Sequence, residues 1–170
     1  MTSPIALGAM VLGIAAIATS TAWRPRPLLI YNASDSAPRG WYAVVPALRY
    51  RPGDYVLARL PEDIRALAAK RGYLPRSVPL LKRIAAVAGQ RICIRNAAVH
   101  VDDVRVATTL DHDGMHRPLS AWSQCRVLLD GELFLLNPTR ADSFDSRYFG
   151  PLDASFVRGR AFPMFASSAS

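Results

Sequence analysis

The chain has 170 residues, a formal charge of +8 at pH 7 and 51% hydrophobic composition, enough for one domain with a real core plus a short appendage. Its arginines are scattered singly from Arg24 to Arg160, with no run of four and no interleaved aromatic motif of a recognised binding module. This argues against a nucleic-acid-binding module and leaves an anionic membrane surface as an equal account of the charge. Two cysteines with no Cys-x-x-Cys pair argue against a zinc site built from thiolates.

Along the chain, the first charged side chain is Arg24, and residues 4–22 form an uncharged run rich in Ala, Ile, Leu and Gly. As a helix this run would reach ~28 Å, just the thickness of a bilayer core. Its end, Ala18-Thr-Ser-Thr-Ala22, equally fits a small-residue cleavage site. Residues 1–23 are therefore either a membrane anchor or a removed signal, and Arg-Pro-Arg-Pro at 24–27 is an extended spacer. The basic residues follow the apolar run instead of preceding it, the reverse of the usual bias for an exported domain.

Beyond the spacer, residues 28–32 and 41–45 read as short apolar strands around a Ser/Asp/Ala/Pro/Gly loop, and Pro52-Gly-Asp54 turns the chain into a strand over 55–60. Residues 61–71 are the one soluble helix: Pro61 opens it, Glu62 and Asp63 sit at its positive end, Lys70 and Arg71 at its negative end, and Gly72 stops it. Residues 78–87 read as a buried strand. Residues 91–95, 98–101 and 104–106 form a meander turning at Asn96 and at Asp102-Asp103. The region 108–123 has no period and reads as a long loop or insertion. Strands over 124–129, 132–136 and 156–162 complete a mainly β domain with one helix. Cys93 and Cys125 lie in strand-like surroundings, either bonded in an oxidising compartment or reduced and buried.

Only two of the 21 basic residues are lysines. Arginine does not lose its proton in proteins and cannot serve as a base, so a lysine here is a marked choice. Lys70 is accounted for by the carbonyls at its helix end. Lys82 is not. Strand alternation sets it on one face with Leu80, Ile84 and Ala86, and sends Arg83 to the other. Desolvation there lowers a lysine pKa and makes a neutral amine available near pH 7, whereas an edge-strand lysine would snorkel to water.

Hydroxyls come from the loop after the first strand, where Pro38 and Gly40 constrain the segment that carries Ser34 and Ser36. A third polar segment runs from Asn137 to Gly150. In it Ser143 and Asp145 are candidates to orient a lysine amine, and Arg147 a partner for Asp145 or Asp142. His112 and His116 have the spacing of helix-borne metal ligands, but Gly114 and Pro118 oppose a helix and no His-Glu-x-x-His is present. No His stands in a triad-like motif, and no metal or cofactor is expected.

Together the three segments resemble the signal peptidase superfamily of Ser/Lys proteases, and more closely its conjugative TraF branch of pilin-maturation peptidases. The matching residues are Asn32-Ala-Ser-Asp-Ser-Ala-Pro-Arg-Gly-Trp-Tyr42 with Pro52-Gly-Asp-Tyr-Val-Leu57, then Leu81-Lys-Arg-Ile84 with Ala88-Gly-Gln90, then Ser143-Phe-Asp-Ser-Arg-Tyr-Phe-Gly150. The resemblance implies a signal-peptidase-like β domain over 28–170, with Ser36 as nucleophile and Lys82 as base. It further implies Ser34 as a side-chain donor to the oxyanion, Ser143 as the hydroxyl that orients Lys82, and Asp145 as an acid needed directly or through Arg147. The substrate it implies is a pilin precursor at an inner membrane, on its periplasmic side, with conjugation components as partners and with hydrolysis or cyclisation as the outcome. Ala37 after Ser36, Pro38 two residues on, and Asn137-Pro-Thr-Arg140 depart from general signal peptidases and favour the conjugative branch. The alternatives are a general leader peptidase, or a non-catalytic membrane-anchored assembly module using the 108–123 loop.

Overall fold

The computed structural model describes residues 8–10, 13 and 29–164. Most of the expected anchor or signal segment, and all of the spacer at 24–27, lie outside the described residues. Among the described residues no helix is long and apolar enough to cross a membrane.

The domain is mainly β. One seven-stranded antiparallel sheet runs in the order β1 (Leu29–Asn32), β2 (Gly40–Val45), β11 (Val157–Pro163), β3 (Tyr55–Ala58), β4 (Leu80–Val87), β9 (Glu132–Leu136) and β10 (Leu152–Asp153). A second sheet of four strands has the order β7 (Val104–Thr108), β6 (Ala98–Val101), β5 (Arg91–Arg95) and β8 (Cys125–Val127). The β5–β6–β7 meander turns where Asn96 with Ala97, and Asp102 with Asp103, take positive φ. Both central residues at φ > 0 match the right-handed twist of the flanking strands, and Asn and Asp accept that conformation more readily than most residues. Cys93 and Cys125 are direct cross-strand partners on β5 and β8, and they are disulfide-bonded.

The large sheet is covered on both faces, which is why β9 is apolar at consecutive positions. Leu133 and Leu135 pack with Leu80, Ile84 and Ala68 of helix α1 (Glu62–Lys70). Phe134 and Leu136 turn the other way, against Ile92, Val99 and Val101 of the small sheet. Each such side chain removed fully from water contributes roughly 1.5–3 kcal/mol. Gly159 of β11 lies just beyond the Arg160–Val45 pair that ends the β2–β11 ladder, and a Cβ there would collide with the Val45 carbonyl oxygen, so only glycine fits.

Two expectations need correction. Ala86 does not share the face of Lys82: a bulge at Ala85 lets Ile84 pair with Leu135 but Ala86 with Phe134, and one extra residue inverts strand parity. The one expected helix is not alone, because the polar segment after β9 folds too. It forms a second short helix, α2 (Ser146–Phe149), whose first turn is capped when the Asp145 carboxylate accepts the Arg147 N–H, and the short strand β10 follows. The long loop expected over 108–123 is present, starting one residue later: Thr108 ends β7, and His112 bridges to Pro118 around a turn that Asp113 holds.

Candidate active site

The site grows from the place where β9 stops and β4 continues. Their ladder ends at the pair Arg83–Leu136, while on the other side β4 still pairs Lys82 with Val56 and Leu81 with Leu57. Ile84 exchanges hydrogen bonds with Gly53 and Asp54 on the β3 side. By alternation, Leu81 and Arg83 direct their peptide groups toward β9. β9 has ended at the level of Leu81, and the loop after β1 occupies the gap.

That loop, residues 33–39, is closed by the pairing of Asn32 with Gly40 and pinned from inside. The Asn32 side chain donates to the carbonyls of Ser34, Ala37 and Pro38 and accepts from the Ser34 N–H and hydroxyl. Ala37 is buried beside Tyr42, Leu57 and Leu81. The Tyr42 hydroxyl donates to the Pro38 carbonyl at 2.8 Å, and burial pushes its pKa up to about 12, so it stays a donor. On this scaffold Ser36 Oγ lies 2.8 Å from Ser34 Oγ and donates to the Leu81 carbonyl at 3.4 Å.

Lys82 is the buried cation of the site, only 3% exposed. Its Nζ donates to Ser143 Oγ at 2.5 Å. Burial lowers its pKa from 10.5 to about 8; the Asp145 charge opposes that shift and the Arg147 charge adds to it. No hydrogen bond joins Lys82 Nζ to Ser36 Oγ among the described residues. Both nevertheless line one cleft of about 250 Å³, together with Ser34, Asn137 and Ser143. Tyr73, Leu74, Leu80 and Phe144 give the cleft its apolar wall.

Behind the cleft lies a fully buried ion pair. Arg147 donates through Nε and Nη2 to the two oxygens of Asp145, at 2.8 and 3.0 Å, and reaches the Thr108, Ala141 and Asn137 carbonyls with its other hydrogens. Asp145 also accepts the Asn137 N–H at 3.0 Å. Among the described residues, Asp145 has no hydrogen bond to Lys82 or Ser36. Its place is that of a support, acting on Lys82 through its charge and on the loops through Asn137. Asp142 pairs instead with Arg140 at the rim, and Arg140 also approaches Asp35 at 3.6 Å.

The long loop reaches this site through Tyr73. Its hydroxyl donates to Asp113 at 2.6 Å, Arg117 lies over its ring, and the ring packs 4.9 Å from Phe144. Burial works against the Asp113 anion, but hydrogen bonds from Tyr73 and Arg117 hold its pKa below the ordinary carboxylate range. His112 and His116 flank this turn, outside the cleft.

The fold thus brings Ser34, Ser36, Lys82 and Ser143 to one cleft and sets Asp145 and Arg147 beneath it. Sequence reasoning assigned no role to Asn137, Asn32 or Tyr73. Asn32 carried a signal, since a strand-ending Asn before a Ser-rich loop is a frequent loop-closing residue.

Comparison with known proteins places these observations. The family described as signal peptidase, peptidase S26, matches residues 1–166. A probable conjugal transfer protein TraF of Sinorhizobium fredii (strain NBRC 101917 / NGR234) is 34% identical over 93% of this chain and 87% of its own. The conjugal transfer protein TraF of Agrobacterium tumefaciens (strain 15955) is 35% identical over 79% of this chain and 80% of its own. A plasmid transfer protein TraF of Escherichia coli is 26% identical over 91% of each chain. Among solved structures, a signal peptidase I from Enterococcus faecalis V583 is similar with a TM-score of 0.41 at 18% identity, over 66% of this chain and 96% of its own.

Proposed function

The chain belongs to the signal peptidase family, peptidase S26, a family of serine peptidases, and on that premise we propose that it is a Ser/Lys endopeptidase that matures a pilin precursor in conjugal transfer. Relatives named for conjugal and plasmid transfer support the setting. The observation that carries the chemistry is a lysine buried in the cleft that holds a loop serine. An amine with a pKa of about 8 is partly neutral under physiological conditions, and only the neutral form accepts a proton.

In this reading Ser36 Oγ turns from the Leu81 carbonyl to Lys82 Nζ, passes its proton to the amine and attacks the scissile carbonyl carbon. Ser143 holds the amine in place. The tetrahedral oxyanion is met by the Ser36 N–H and by the Ser34 hydroxyl, which must leave Asn32 Oδ1 to reach it. Collapse expels the new amine with the proton from Nζ and leaves an acyl ester on Ser36. Water resolves the ester by hydrolysis; the precursor's own N-terminal amine, arriving instead, gives a cyclic pilin. The apolar run at 4–22 supports attachment to the inner membrane, and the periplasmic side is taken from the family resemblance, against the basic residues that follow the run.

The reading is tested by Ser36→Ala and Lys82→Ala, each of which abolishes precursor processing while the domain stays folded. Mass spectrometry of the pilin and of all secreted proteins, with and without the enzyme, separates one dedicated substrate from a general leader peptidase. A cyclic product is lighter than the linear one by one water. Processing that survives Ser36→Ala would overturn the proposal.

A further inference from the structure

The Asn137 side chain is fully committed, and its direction follows from its partners. Its Oδ1 accepts from the Thr139 N–H at 3.1 Å and from the Thr139 hydroxyl at 2.8 Å. This leaves Nδ2 facing the loop across the cleft, where it donates to the Asp35 carbonyl at 3.2 Å and to the Ser36 carbonyl at 3.0 Å. These are the carbonyls on either side of the reactive serine, and they come from a segment more than one hundred residues away in the chain.

A peptide group is rigid. The Asp35 carbonyl and the Ser36 N–H belong to one trans peptide plane and point in opposite directions, so a donor that grips the carbonyl sets the direction of the N–H. Held this way, the Ser36 N–H is turned away from Asn137, and it meets no acceptor among the described residues. The second grip, on the Ser36 carbonyl, prevents the next plane from relaxing the first. Asn137 is itself clamped at both backbone groups, its N–H on Asp145 Oδ2 and its carbonyl under Arg147 Nη2 at 2.6 Å.

We propose that Asn137 is a positioning residue for the oxyanion hole, orienting the Ser36 N–H through the two carbonyls it grips, and that the buried Asp145–Arg147 pair acts on catalysis by holding Asn137. The inference rests on the Ser/Lys reading above and adds a route from the buried pair to the reacting atoms. A donor misdirected by a rotated peptide stabilises the transition state less while leaving substrate binding almost intact.

The test uses the purified full chain in detergent, a fluorogenic peptide with Ala before the scissile bond, and the boronic acid of the same peptide as a tetrahedral mimic. Asn137→Asp keeps the shape but sets a carboxylate against two carbonyls, and Asn137→Ala removes the grip. Both are expected to lower kcat by on the order of 100-fold, with KM within about threefold. Boronate affinity falls by a factor similar to kcat; the pH midpoint of kcat/KM does not move in Asn137→Ala, and in Asn137→Asp the new carboxylate raises it, as nearby carboxylates do for Lys82. Thr139→Val, which only loosens Asn137, shows the same pattern at a loss of about threefold and covers the case in which the larger changes unfold the domain. The inference is overturned if kcat is unchanged, or if KM and the pH midpoint shift while boronate affinity stays. Ser36→Ala and Lys82→Ala run in the same assay: activity surviving either one overturns the Ser/Lys reading itself, whereas their loss with active Asn137 variants overturns only this inference.

Discussion

Lys82 Nζ donates to Ser143 Oγ at 2.5 Å from a position that leaves the lysine only 3% exposed. The hydroxyl gives the amine one polar partner, while Lys82 itself sits between Leu80 and Ile84 along β4 and opposite Val56 of β3. One neutral hydroxyl does not replace a hydration shell, so burial wins over the nearby Asp145 charge and the pKa falls to about 8.

The activity consequence has a definite sign. On the Ser/Lys proposal Lys82 works only when neutral, so kcat/KM is expected to rise with pH, about tenfold per unit below about 8, and to level off above it. A pH–rate profile on the fluorogenic peptide checks this. A plateau already reached by pH 6 would contradict it.

Stability follows the same proton. The folded pKa lies below the ordinary 10.5, so the unfolded chain binds the proton more tightly, and stability rises as pH climbs from about 8 to about 10.5. Below pH 8 the cost of burying the charged amine is fully present. Lys82→Met removes that cost and also removes the Ser143 hydrogen bond, leaving a net gain of about 1–2 kcal/mol at pH 7 that shrinks above pH 8. Denaturant titrations at three pH values measure it.

The buried pair responds differently. Asp145→Asn strands the Arg147 guanidinium away from water and costs about 3–5 kcal/mol, and Arg147→Met does the same to the carboxylate. Replacing both by apolar residues costs less than the sum of the single changes. A double-mutant cycle in thermal or denaturant unfolding reads this coupling.

The disulfide closes a loop with a sequence separation of 32 residues in the small sheet, away from the cleft. Loop-closure entropy puts its contribution at up to about 4 kcal/mol. Cys93→Ala with Cys125→Ala therefore lowers the unfolding midpoint while kcat/KM of the folded protein stays within about twofold.

The wall of the cleft predicts a change of preference. Tyr73→Ala removes a ring that Asp113, Arg117 and Phe144 hold in place, and the cleft widens. Peptides with Leu or Phe before the scissile bond are expected to gain at least tenfold relative to Ala in kcat/KM. Unchanged ratios would remove Tyr73 from the substrate-facing wall.

What was legible in the sequence was local. Glu132–Leu136 and the helix in 61–71 were set by apolar spacing and end charges, and the meander turns by Asn96 and Asp102. The parity of Lys82 held through Ile84 and failed at Ala86, because the bulge depends on the register of β9, some fifty residues on. The short helix after Asp145 carried a capping signal, obscured by the density of polar residues around it. The grip of Asn137 on Ser36, and of Asp113 on Tyr73, had no local signature, since each joins loops distant in the chain. The status of Cys93 and Cys125 likewise waited on which strands became neighbours.

In the Ser/Lys proposal a neutral amine at position 82 takes the proton from Ser36. Turnover of the pilin precursor by purified Lys82→Arg, set against its unfolding midpoint, tests it most directly, because arginine keeps the charge and the length but does not give up its proton. A folded variant with no detectable turnover is the predicted result, and near-normal turnover would contradict the assignment.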